Sequence, residues 1–365
     1  MCQRHRSTAL SGEAWTIDDL ELFWEKIDKI GKAWGISYFK PQIEIISADQ
    51  MIEVMATLGS PCSYDYWAIG RDALKHAQDY KKGKTGLALE LVINSDPSIM
   101  YIMENNTLIQ QGLVMAHAGI GHGSVFKNNF LFKEWTRPDT ILEYMAFAKK
   151  YIFEMEQQYG EAEVSRTLEC CRALQDYSIS HKRRSRQKQK NLKKDFLVEA
   201  KIDPPEYSST VPNFNYDVNM SSQLLKLSNN TYDLPEENIL YFLEKHNKYK
   251  DSDMNEVIRI CRKLNEYFYP QTKTKILHEG WATFIEYMIF EELYKKGDID
   301  EGGYLEFFRE HCNLVGQSPY SSRFFRSLLS NPYPLGFNIF NDLYRMTHSP
   351  MKEDLLEYPE ICNTR

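Results

Sequence analysis

The chain has 365 residues, of which 42% are hydrophobic, 26% charged and 13% aromatic, with a net charge of −7. That length admits two domains or one composite domain. The aromatic content excludes general disorder, and the acidic balance argues against non-specific nucleic-acid binding by the whole surface. No run approaches the roughly 18 uninterrupted apolar residues of a membrane span, and the charged start Met1–Arg6 leads into no apolar signal segment. The seven cysteines are scattered without a C-x-x-C pair. Vicinal Cys170 and Cys171 rarely bond to each other, so reduced thiols and a cytoplasmic setting are expected.

In chain order, 16–35 shows helical spacing, with a cap at Thr16-Ile17-Asp18-Asp19 and Leu20, Phe23, Trp24 and Ile27 on one face. Gln42–Ile46 alternates like a short strand, and Ser47-Ala48-Asp49-Gln50 reads as a helix start. Leu87–Ile93 and Ile99–Met103 are β-like runs separated by the turn signal Asn94-Ser95-Asp96-Pro97. Helical patterns then cover 108–118, 138–160, 162–178, 236–246, 253–268, 276–295 and 303–312. The segment 181–234 breaks the pattern with a basic run, Pro204-Pro205 and Asn/Ser-rich stretches, as a linker or long insertion does. No internal repeat is visible. The fold expected is mainly α with a small β element (α+β).

Within 116–123 the sequence is AHAGIGHG, which sets His117 and His122 five positions apart among glycines. On a regular α-helix five residues advance about 500°, leaving the rings roughly 140° apart. The imidazoles converge only if the helix widens by a π-bulge or breaks at Gly119 or Gly121. The plainer alternative is a helix C-terminus stopped by Gly. The spacing G-x-G-x-G also hints at phosphate, but it lacks the Lys-Ser/Thr of a P-loop and follows no clear strand.

The second dense stretch is 267–290, YFYPQTKTKILHEGWATFIEYMIF. After Pro270, Trp281, Phe284, Ile285, Met288, Ile289 and Leu293 set a helical phase, with Glu279, Thr283 and Glu286 as a polar stripe beside it. Glu279 and Glu286 share a face about 10 Å apart along the axis, so one ion cannot easily be ligated by both. One can ligate while the other supports from behind, or the stripe is simply solvated. Glu156, Glu163 and Glu169 lie on another helix, each read singly as surface.

The blocks PQIE (41–44), YDYWAIGR (64–71), LELVINSDP (89–97), MAHAGIGHGSVFKNNFLF (115–132), YFYPQTKTKILHEGWATF (267–284) and NPYPLGFNIFNDL (331–343) occur in an order that resembles the stage V sporulation protein R (SpoVR) family. The resemblance implies a bacterial cytoplasmic protein tied to spore-cortex formation or to stress physiology, without a settled biochemical activity. It also implies a C-terminal portion beyond the end of this chain. His117, His122 and Glu279 match the family's most characteristic motifs. Elsewhere the chain departs from the family pattern: Tyr66, Tyr159, Arg172 and Glu286 stand where members carry histidines, Glu169 where they carry Asp, and His278 where they carry Asn.

An H-x-x-x-x-H pair followed far downstream by E-G-W-A is similar to zincin-type peptidases, in which a later helix supplies a Glu ligand. Two neutral imidazoles and one carboxylate suit a divalent ion, Zn²⁺ above all, and leave a position open. The metal ligands expected are therefore His117, His122 and Glu279, in a zincin-like helical body. Ala118 stands where a general-base Glu would follow the first His, so the base must come from elsewhere: Glu90 first, Glu169 next. The expected organisation is an N-terminal half (1–180), a basic linker (181–234) and a C-terminal half (235–365), the halves forming one composite domain. The function expected is metal-dependent hydrolysis of peptide or peptidoglycan amide bonds. The alternative is a non-catalytic regulatory or scaffolding protein that docks a protein partner through the basic run 182–194. That run has no interleaved aromatics to stack on nucleic acid, and its plainer reading is a solvated linker.

Overall fold

The computed structural model describes residues 10, 14–57, 74–75, 78, 90–179, 238–246, 252–316 and 331–363. The linker 181–234, with its basic run, and Tyr66 lie outside these residues. Two compact units emerge: Met1–Tyr159 with Glu266–Arg365, and Gly160–Asn265. The architecture is mostly helical with a small sheet, as the periodicities imply.

In the first unit, α1 (Ile17–Ala33) starts on the anticipated cap, where Thr16 accepts from the Asp19 backbone and Asp19 accepts from that of Thr16. Strands β1 (Pro41–Ile46), β2 (Leu91–Ile93) and β3 (Ser98–Met103) form a sheet of order β1-β3-β2, with α2 (Ala48–Thr57) between β1 and β2 in sequence. β1 runs parallel to β3 with Ile43 opposite Met100, and β2 runs antiparallel to it with Val92 opposite Met100. Every second residue of β3 from Ser98 to Ile102 is buried, so the pleat feeds Met100 and Ile102 into the main core.

Thr107 caps α3 (Leu108–Val114), which passes without a stop into a π-helical segment, Met115–His122, and on into α4 (Gly123–Asn128). The glycines do not terminate this helix. Gly121 instead admits a neighbour, because a Cβ there would meet Ala282 Cα at 2.5 Å. Asn129 caps α5 (Phe130–Trp135), and α6 (Ile141–Tyr159) completes this part of the unit.

The unit resumes with the end of α9 (Ser252–Lys273), a helix that begins in the second unit and runs on through Pro270. The helical pattern read over 253–268 therefore extends to Lys273. The break falls at Thr274, whose N–H and hydroxyl both donate to the Pro270 carbonyl. Then come α10 (Lys275–Lys295), α11 (Glu301–Val315) and α12 (Pro332–His348), followed by the short helices Lys352–Glu357 and Pro359–Cys362. Phe23 and Ile27 of α1, Ile109 of α3, Met115 and Ile120 of the π segment, Phe290 of α10 and Phe307 of α11 are fully buried in one core. Phe290 and Phe307 stack at 4.2 Å between centroids. α10 and α12 meet backbone to backbone, since a Cβ on Gly280 would lie 2.2 Å from Gly336 Cα. Only glycine at both positions permits that approach.

The second unit contains α7 (Glu161–Ala173), α8 (Ile239–His246) and the start of α9. Val164, Leu168 and Cys171 form the buried side of α7. Among the described residues Cys170, Cys171, Cys261, Cys312 and Cys362 are free thiols, and no described helix is long and apolar enough to cross a membrane.

Candidate metal centre

The wide turn between His117 and His122 is π-helical, one of the two routes by which five-apart imidazoles can converge. Hydrogen bonds running i→i+5 bring residues five apart onto one face, and the two rings meet edge-on at 4.8 Å. Their Nε2 atoms face two carboxylates. Glu90, just before β2, places Oε1 3.2 Å from His117 Nε2 and 3.6 Å from His122 Nε2. Glu279, on α10, places Oε2 3.7 Å and 3.6 Å from the same two nitrogens. One ligand atom from each of the four residues lies within 4.8 Å of every other.

Proximity here is not pairing. His117 Nε2 and Glu279 Oε2 are buried without a hydrogen-bond partner, and 3.6–3.7 Å is too long for one. Buried polar atoms are normally satisfied. Four ligand atoms that converge within 4.8 Å of one another, two of them without a hydrogen-bond partner, suit a divalent cation, and the mixed imidazole and carboxylate set is one that Zn²⁺ accepts. The residues present therefore fit the ion expected from the motif.

Behind the four stands a support that the helical spacing left open. Glu286, fully buried one face-repeat along α10 from Glu279, reaches His117 Nδ1 at 2.7 Å and His311 Nδ1, on α11, at 3.3 Å. His117 thus has Glu279 at one nitrogen and Glu286 at the other, which resolves the stripe: Glu279 faces the centre and Glu286 holds the ring from behind. A carboxylate behind a metal-binding imidazole fixes its tautomer and raises its basicity.

The electrostatics follow from crowding carboxylates around imidazoles. Burial opposes a charged His117, yet Glu90, Glu279 and Glu286 together hold its pKa well above the usual histidine value. Burial alone would raise Glu279, but His117 and His122 pull it down to about 2. Glu286 is likewise lowered against its burial by His117 and His311. His278 behaves oppositely. Packed against His122 at 4.3 Å between centroids, and against Phe126 and Phe132, it is pushed well below the usual value by burial and by the neighbouring His122.

All three residues expected as ligands thus come together, and Glu90 joins them at ligand distance. Glu169 does not belong to the group; it is exposed on α7 in the second unit. Two neighbours escaped the sequence reading. His311 lies within the helical pattern 303–312, which by itself points to no site. Tyr333, in the NPYP block, places its ring 6.1 Å from that of His117, and a block that resembles a family motif was its only signal.

The family description "SpoVR like protein" matches residues 14–365. The chain is also 39% identical over 363 residues to the uncharacterized protein YcgB of Escherichia coli (strain K12), covering 98% of this chain and 70% of that protein. No solved structure matches. On both the matched length and this identity, the chain belongs to the SpoVR-like family.

Proposed function

We propose that the protein is a metal-dependent hydrolase of amide bonds, with His117, His122 and Glu279 as ligands to a divalent ion, Zn²⁺ by donor type, and Glu90 as general base. The observation that supports this is the convergence of four ligand atoms with His117 Nε2 and Glu279 Oε2 unpaired among them. Two histidines from one helix and a glutamate from a later one make the arrangement zincin-like in this reading. A bound ion would supply Lewis-acid polarisation of the scissile carbonyl. Glu90 is the most exposed of the four side chains. It takes a proton from the water that attacks the carbonyl carbon and delivers that proton to the amine as the C–N bond breaks. Glu286 keeps His117 aimed throughout. Glu169, the other base candidate, has no part in this proposal. By family resemblance the substrates are peptide or peptidoglycan amides, in a cytoplasmic protein of spore-cortex or stress-linked envelope physiology.

A second reading has its own observation. Glu90 stands as close to the two imidazoles as Glu279 does, and four protein ligands close a tetrahedral zinc site. The protein would then be a scaffold with a structural ion. Glu90→Gln separates the two, with metal content measured by elemental analysis of untagged protein and turnover on peptidoglycan-derived peptides. The hydrolase keeps stoichiometric zinc and loses turnover; the closed site loses zinc. Wild-type protein that holds no ion and binds none at neutral pH defeats both.

A further inference from the structure

Tyr333 is the second residue of α12, and its N–H donates to Oδ1 of the capping Asn331 at 3.2 Å. Three residues on, Gly336 presses against Gly280, the neighbour of Glu279, so the crossing that needs two glycines is also what brings Tyr333 to the centre. The ring lies beside His117. The carboxylates of Glu279, Glu90 and Glu286 lie within electrostatic reach of the phenol. The centre is most open on this carboxylate side: the Glu90 and Glu279 side chains are 20% and 17% exposed, against 1% for His117.

Among the described residues, the titratable side chains that meet at the ligand atoms are carboxylates and imidazoles. The leading electrostatic partners of Glu279 and Glu286 are histidines, with no lysine or arginine among them. Such a surround repels an anionic oxygen. A carbonyl that gains negative charge needs a donor besides the ion, and Tyr333, with its ring beside His117, carries a neutral hydroxyl.

We propose that Tyr333 donates a hydrogen bond to a substrate oxygen at the metal centre, so that the site takes acyl compounds whose carbonyl oxygen turns anionic as the reaction proceeds. This rests on the metal-dependent reading above. Donors placed on a developing oxyanion are among the strongest contributors to acyl-transfer catalysis.

Acetohydroxamate, a small acyl compound with an anionic oxygen that binds metal, serves as the probe. Wild type and Y333F are first saturated with Zn²⁺ alone, their folding is compared by circular dichroism, and each is then titrated with acetohydroxamate by calorimetry. Saturation removes any change in zinc affinity from the comparison. Y333F keeps the ring beside His117 and loses only the hydroxyl, so its acetohydroxamate affinity should fall by about tenfold or more, as for a lost hydrogen bond to a charged oxygen. Equal affinities in the two saturated proteins overturn this inference alone. Wild type that takes up no Zn²⁺ overturns the metal-dependent reading and this inference with it.

Discussion

Each compact unit buries a carboxylate among titratable neighbours, and the two do it in opposite ways. In the second unit, Glu244 has a side chain only 2% exposed, but fixed cations meet both of its oxygens: Arg262 at 2.8 Å, Lys245 at 2.8 Å and Arg259 at 3.1 Å. Burial would raise its pKa, and these partners hold it at about 2 instead. In the first unit, Glu90, Glu279 and Glu286 crowd one imidazole, and buried atoms stay unpaired. Cations in surplus around a carboxylate complete a structural ion pair. Carboxylates in surplus around an imidazole leave a deficit of positive charge, which a metal ion would fill.

The largest expected effect breaks the first cluster. Glu244→Ala removes the carboxylate that buried Arg262 meets at 2.8 Å and should cost about 3–5 kcal/mol of stability, measured by urea unfolding, while zinc affinity stays unchanged. A stability loss below about 1 kcal/mol would show that the pair is not a structural element. The pH dependence has a definite sign. A depressed carboxylate contributes stability that is present above its unfolded value and lost as pH falls through the folded value near 2.

The same operation on the second cluster should act on binding. His117→Ala removes one ligand and should weaken Zn²⁺ by about a hundredfold or more, since even supporting residues behind ligands are worth 10–100-fold. Glu279→Gln should behave likewise, because the amide keeps the shape and loses the charge. Near-wild-type zinc affinity in either variant would remove the basis for the site. Glu286→Gln is subtler. The amide still fits behind His117 but no longer enforces its charge or tautomer, so about a tenfold loss is expected, read by competition with a chelator.

Residues near in sequence were the legible ones. The five-residue spacing of His117 and His122 forced a choice between a π-bulge and a break, and the π turn is found. The cap at Thr16, the turn at 94–97 and the alternation of β1 depend on neighbours along the chain, so local patterns carried them. The parallel pairing of β1 with β3 does not, and neither does the reach of Glu286 to a histidine on another helix. Glu90 was named as the first candidate for a base and not as a ligand; its ligand-range position depends on how β2 packs beside the π segment. The helix read over 253–268 runs on past Pro270, whose missing N–H is tolerated here, and the break falls later, where Thr274 bonds back to the Pro270 carbonyl.

The smallest effect sharpens the comparison through protons. Against its burial, His117 is held well above the usual histidine value by Glu90, Glu279 and Glu286. An ion that takes Nε2 must displace that proton, whereas ordinary histidines would already be neutral at pH 7.5. Below the raised value zinc should weaken by up to about tenfold per unit of falling pH, and the decline should start above the ordinary histidine range. Calorimetry in buffers of different ionisation enthalpy should count a proton released on binding in that window. Flat affinity from pH 8 to 7 with no proton released would mean that His117 is neutral before the ion arrives. The crowded carboxylates would then be balanced by something other than the imidazole.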